Sequence, residues 1–194
     1  MRAPRFRWFS CVLLLFAASI GAWADVVTRG PYLQNVSTTA ATLRWRTDVD
    51  TGSRVWLGAQ PDSLALAVTN TALVTDHEVR LTGLAPGARY YYAIGSDQGQ
   101  LSTGSDHYIQ TAPSAGEQTR IWVLGDAGTG TSDQLQVRDA YYSSVGTAHT
   151  DILLMLGDNV YNDGTDAEYQ SRLFGVYRGL LRRTPLWPTL GNHD

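Results

Sequence analysis

At 194 residues, 43% of them hydrophobic and only one a cysteine (Cys11), the chain has room for one domain or two small ones and cannot close a disulfide within itself. All fifteen basic residues are arginine; three of them (Arg2, Arg5, Arg7) precede residue 25, so the remainder carries twelve arginines against eighteen acids, a formal charge of −6. An acidic chain without lysine argues against nucleic-acid or anionic-membrane binding, and it excludes a Walker A loop, whose lysine must reach the phosphates.

Residues 1–24 combine those arginines with an apolar stretch from Phe9 to Ala22 and Ala22-Trp23-Ala24 before Asp25. This is the pattern of a secretory signal peptide with an A-x-A cleavage site, and the apolar stretch is too short to cross a ~30 Å hydrocarbon core. The chain is therefore expected to be secreted or periplasmic, to lose Cys11 on cleavage and to keep no stable membrane anchor.

Residues 25–112 read as an all-β module of short alternating strands at 41–46, 53–58, 76–81, 90–95 and 107–111. Leu43 and Trp45 alternate with arginines, which predicts a strand with one wet face and Trp45 in the core. The segment Leu84-Ala85-Pro86-Gly87-Ala88-Arg89-Tyr90 is similar to the turn and tyrosine corner of fibronectin type III sandwiches, with Tyr90, Tyr92 and Ile94 facing inward. His77, His107 and His149 are expected to be solvated. Residues 113–119, with Pro113, Ser114 and Gly116, form a linker.

Residues 120–194 change character. Three apolar runs each stop at a polar block: Ile121–Leu124 before Gly125-Asp126-Ala127-Gly128, Ile152–Leu156 before Gly157-Asp158-Asn159-Val160-Tyr161, and Pro185–Leu190 before Gly191-Asn192-His193-Asp194. Such runs predict strands buried on both faces, and the intervening stretches predict helices. One helix is capped by Asp133 and runs to about Val145, with Leu135, Val137 and Tyr141 or Tyr142 toward the sheet; another runs from Asp166 to about Arg183, where Arg182 and Arg183 suit the helix dipole. Parallel strands end at one edge of a sheet, where ligands of open α/β folds bind, so Asp126, Asp158 and Asn192 can converge on one spot. Converging oxygen donors suggest a metal.

The three blocks, in order, resemble the first three of five motif blocks in purple acid phosphatases, within the calcineurin-like metallophosphoesterases, and Arg29-Gly30-Pro31-Tyr32-Leu33-Gln34 resembles the opening strand of their amino-terminal domain. Gly128 departs from the Asp-x-His of the wider superfamily, while Tyr161 stands where the purple subclass supplies a phenolate. The resemblance implies a fibronectin type III-like β-sandwich followed by an incomplete α/β metallophosphoesterase domain, since no fourth or fifth block is present in the sequence. It also implies a secreted dimetal acid phosphatase that hydrolyses small phosphate monoesters with a metal-bound hydroxide. Asp126, Asp158 and Tyr161 would bind Fe(III); Asp158 would bridge to a divalent Fe, Zn or Mn ion that Asn192 also binds. His193 would contact phosphate and act on the leaving group, and Asp194 would orient His193. Two other readings of the residues stand: a phosphodiester substrate, and a secreted sandwich that acts as a non-catalytic binding module.

Overall fold

The structure, a computed structural model, describes residues 25–194; the signal-peptide expectation and Cys11 lie outside the described residues. Six strands make up the first unit: β1 (Val27–Gln34), β2 (Ala40–Gln60), β3 (Ser63–Thr82), β4 (Arg89–Ser96), β5 (Gly99–Ser102) and β6 (Tyr108–Gln110). All pair antiparallel. The first part of β2 lies between β1 and the end of β3 (Leu33↔Leu43, Leu43↔Val79), while its second part lies between the start of β3 and β4 (Val55↔Val68, Val55↔Ile94). The register shifts between Arg46 and Ser53 divide these halves, so β2 and β3 each run through both layers of a β-sandwich.

Alternation fills the space between the layers. Leu33, Leu43, Trp45, Val55, Tyr92, Ile94 and Ile109 are all at most 1% exposed and form one cluster. Trp45 is buried as its strand pattern predicts, and its ring stacks on that of His77 at 4.6 Å. The tyrosine corner forms too, since the Ala85 N–H donates to the Tyr90 hydroxyl at 2.9 Å.

The histidines differ from expectation. His77 and His107 are buried, and each is held by hydroxyls: His77 Nδ1 pairs with Ser53 Oγ and Nε2 with Thr47 Oγ1, while His107 Nε2 pairs with Ser102 Oγ. His149 is largely buried against the Tyr108 ring. A single sequence does not reveal such neighbours, because each hydroxyl comes from another strand or turn.

The second unit contains β7 (Ile121–Leu124), α1 (Ser132–Val145), β8 (Ile152–Leu156), α2 (Asp166–Glu168), a π-helical turn (Tyr169–Phe174), α3 (Arg178–Leu181) and β9 (Leu186–Thr189). The strands form a parallel sheet in the order β7-β8-β9. Trp122, Leu153, Met155 and Leu186 face the helical segments and pack with Leu173, Tyr177, Leu180 and Leu181. Trp122 lies flat on Tyr141, with ring centroids 3.9 Å apart.

Three expectations for this unit are corrected. The strands are buried on one face only, for Ile121, Val123, Leu156 and Trp187 are 45% to 55% exposed on the other. On α1 the inward residue of the first turn is Gln134, whereas Leu135 and Val137 are exposed. The helix expected over 166–183 is broken, because Gly175 N bonds back five residues to Gln170 O, and Gly175 and Gly179 each lower helix propensity.

The two units meet through polar contacts. Arg29 of β1, 7% exposed, donates to Gln170 Oε1 at 2.7 Å and to the Asp166 carbonyl at 3.1 Å, pairs with the Asp166 carboxylate at 3.0 Å and lies over the Phe174 ring. Tyr92 donates its hydroxyl to the Arg182 carbonyl, and Arg182 pairs with Asp106. Arg182 is thus an interface residue rather than the dipole-matched surface group its helix-end position predicts.

Candidate metal centre

The register of β7 on β8 pairs Leu124 with Met155, so the two strands end side by side and the Asp126 N–H donates to the Gly157 carbonyl. Asp126 and Asp158 both adopt left-handed backbone, with φ of 51° and 47°. Short polar residues tolerate that region better than bulky ones, and at a strand end it turns the chain sharply.

Gly128 explains how the third oxygen reaches these two. Its carbonyl accepts the Tyr161 N–H at 3.1 Å, which ties the first polar block to the second. A Cβ at 128 would fall on the Asn159 carbonyl and on Val160 Cα. A histidine there is incompatible with this packing, so the loss of an imidazole at 128 and the placement of Tyr161 are two sides of one steric arrangement.

Tyr161 donates its hydroxyl to Asp126 Oδ1 at 2.8 Å and lies 3.1 Å from Asp158 Oδ2. One proton thus serves three oxygens. The hydrogen bond to Asp126 pushes the Tyr161 pKa up, with loss of hydration and Asp158 adding to it. The Asp158 carboxyl is held below its ordinary range, first by the His193 N–H, which donates to Oδ1 at 3.1 Å. A cation among these oxygens would invert that balance by taking the place of the proton.

The third block closes over the second. Gly191 packs so tightly on Asp158 that a Cβ would fall on the carboxylate oxygen Oδ1. Asn192 is exposed between Gly191 and His193, both of which touch Asp158. The His193 ring lies 4.8 Å from the Tyr161 ring, and its Nδ1 is 2.7 Å from the Asn162 carbonyl.

Asp194 does not take the role predicted for it. Its carboxylate accepts from Asn159 N, Asn159 Nδ2, Val160 N, Gly191 N and the Tyr169 hydroxyl, all between 2.8 and 3.3 Å. It pins the second block to the third, and the group that orients His193 is the Asn162 carbonyl. Sequence reasoning also passed over Asn159, 1% exposed and donating to Thr189 O, and Glu168. Thr165-x-x-Glu168 is a capping-box pattern and could have exposed Glu168.

The donors converging here are two carboxylates and a phenol, which suit a hard cation. Among the described residues no group of three or more His, Cys, Asp or Glu side chains could hold a metal ion, so Tyr161 would have to complete the donor set for even one ion.

Comparison with known proteins bears on the first unit most directly. Residues 30–112 match the family model described as the purple acid phosphatase N-terminal domain. The chain is 26% identical over 201 residues to acid phosphatase type 7 of Homo sapiens, and 28% identical over 143 residues to purple acid phosphatase 15 of Arabidopsis thaliana. The chain is thus similar to purple acid phosphatases, through the domain match at residues 30–112 and these two acid phosphatases. These matches cover 95% and 61% of this chain, but only 45% and 26% of the two proteins, so the chain spans less than half the length of either. The solved structure of PhoD superposes with a TM-score of 0.60 at 14% identity, over 86% of this chain and 39% of that one, a likeness of fold.

Proposed function

We propose that residues 120–194 form part of a metallophosphoesterase domain and supply the first half of the metal centre of a secreted or periplasmic acid phosphatase acting on small phosphate monoesters. The observation that carries this reading is the convergence of Asp126, Asp158 and Tyr161 at the ends of adjacent parallel strands. The acid phosphatases matched in sequence support the reaction class, and the pattern of residues 1–24 supports export. Among the described residues no helix is long and apolar enough to cross a membrane.

Asp126, Asp158 and Tyr161 would hold an iron(III) ion; Asp158 would be shared with a divalent iron, zinc or manganese ion, toward which Asn192 would also contribute. Bound cations supply Lewis-acid charge against phosphate oxygens and acidify a water for attack on phosphorus. The protein's own part is orientation. Gly128 and Gly191 allow the three blocks to touch, Asp194 locks the second to the third, and the His193 N–H fixes Asp158 Oδ1. With Nδ1 committed to the Asn162 carbonyl, His193 keeps Nε2 for a phosphate oxygen or a leaving group.

The test is iron retention. After incubation with iron(III) citrate and desalting, the wild-type chain should keep iron that Asp126→Ala and Asp158→Ala lose. Equal retention by all three proteins would contradict the assignment.

A further inference from the structure

We infer that Glu168 is the positioning residue that sets the tautomer of His193, acting through the backbone of the turn between Tyr161 and Asp166. This goes beyond the proposed metal centre, and it rests on that reading only for its consequence in catalysis.

A carbonyl oxygen only accepts, so the 2.7 Å contact between His193 Nδ1 and Asn162 O places the ring hydrogen on Nδ1. The orientation of that carbonyl depends on the turn of residues 162–165, which contains the exposed Asn162, Asp163 and Thr165. One side chain gathers this turn. The Glu168 carboxylate accepts from Asn162 N at 2.6 Å, Asp163 N at 3.2 Å, Thr165 N at 3.1 Å and Thr165 Oγ1 at 3.0 Å, and pairs with Arg172 at 3.1 Å.

Three backbone N–H groups aimed at one carboxylate point the intervening peptide planes in a fixed sense. The Asn162–Asp163 peptide presents its N–H, that of Asp163, to Glu168 at 3.2 Å and its carbonyl, that of Asn162, to His193 Nδ1. Bonds to an ionised acceptor are about twice as strong as neutral ones, so a single carboxylate can hold a polar turn that has no apolar anchor. The turn also abuts the third block directly, since a Cβ on Gly164 would meet the His193 carbonyl at 2.9 Å. Without Glu168 the turn has no other side chain holding two or more of its N–H groups, and the ring of His193 loses its fixed acceptor.

The experiment is a long-range proton–nitrogen correlation of the 15N-labelled 194-residue chain, recorded where the ring is neutral and without metal. Wild type should show a protonated Nδ1 and an unprotonated Nε2 for His193. Glu168→Ala should lose that pattern and give the averaged or Nε2-protonated pattern of an unconstrained histidine. Glu168→Gln, which keeps one acceptor oxygen, should fall between the two. Amide shifts of the sandwich and of α1 serve as the control for folding; should Glu168→Ala fail that control, Glu168→Gln alone decides. Retention of the wild-type Nδ1–H pattern in a folded Glu168 variant would overturn the inference, as would its absence in wild type. Neither outcome depends on iron, so the inference and the metal centre fail separately.

Discussion

Asp126 and Asp158 could be placed at one sheet edge from the sequence because each stands two residues past a strand, and strand ends are where a parallel sheet gathers its ligands, whereas Tyr161 entered only through the family resemblance. The partners of Asp194 and His193 were not legible in the sequence, since they depend on how two turns fold against each other. The buried histidines are a further residue-scale finding with a consequence for stability. Burial lowers the pKa of His149 to about 4 and lowers those of His77 and His107 as well. Each folded-state value lies below that of the unfolded chain, so the unfolded state binds more protons and stability falls as pH drops. For His149 the loss begins near pH 6.5 and is complete near pH 4, amounting to about 3 kcal/mol at ~1.4 kcal/mol per unit. Urea denaturation at pH 7 and pH 4.5 should show it, and His149→Gln should flatten the difference between them.

At the scale of elements, β4, β7, β8 and α1 sit close to where hydrophobic runs and periodicity place them, whereas the strands expected at 41–46 and 53–58 are one continuous β2, β5 and the first half of β3 have no counterpart in the pattern, and the inward face of α1 differs from the one periodicity predicts. Leu135 and Val137 are the apolar residues of its first two turns, and a pattern reading turns them inward. The structure instead buries Gln134, whose side chain accepts from Gly130 N at 2.9 Å and donates to Arg172 O at 2.6 Å. Its amide links the loop after the first block to the π-helical turn, so polarity here marks an internal bridge. Gln134→Ala should destabilise the chain by about 1–3 kcal/mol through the orphaned backbone groups, whereas Leu135→Gln should change stability by about 0.5 kcal/mol or less. Thermal melts of both variants check the assignment. A larger loss for Leu135→Gln would restore the periodicity-based face. The helix expected over 166–183 failed for a different reason: Gly175 and Gly179 were visible in the sequence, but the five-residue hydrogen bond that accommodates the break was not.

Across the whole molecule, the sandwich acts as a buttress for the site as well as a module with its own core. Arg29 reaches from β1 to Asp166 and Gln170, which flank Glu168 and Tyr169, and those two hold the second and third blocks. Arg29→Ala should therefore cost about 1.5–3 kcal/mol, the range for hydrogen bonds to charged groups, with the exposed Asp166 free to resolvate. Under limited proteolysis residues 120–194 should be cut sooner in Arg29→Ala than in wild type, while the sandwich, with its separate core, persists. Uniform loss of both units would mean that the interface is not where the two are coupled.

The proposed iron site of two carboxylates and Tyr161 is tested by the visible spectrum of the chain saturated with iron(III). A phenolate bound to iron(III) gives a charge-transfer band in the visible range, whereas carboxylates alone do not. The wild-type chain should develop such a band, and Tyr161→Phe should bind iron without it. A band of equal strength in Tyr161→Phe, or iron bound by wild type with no visible band, would contradict the account.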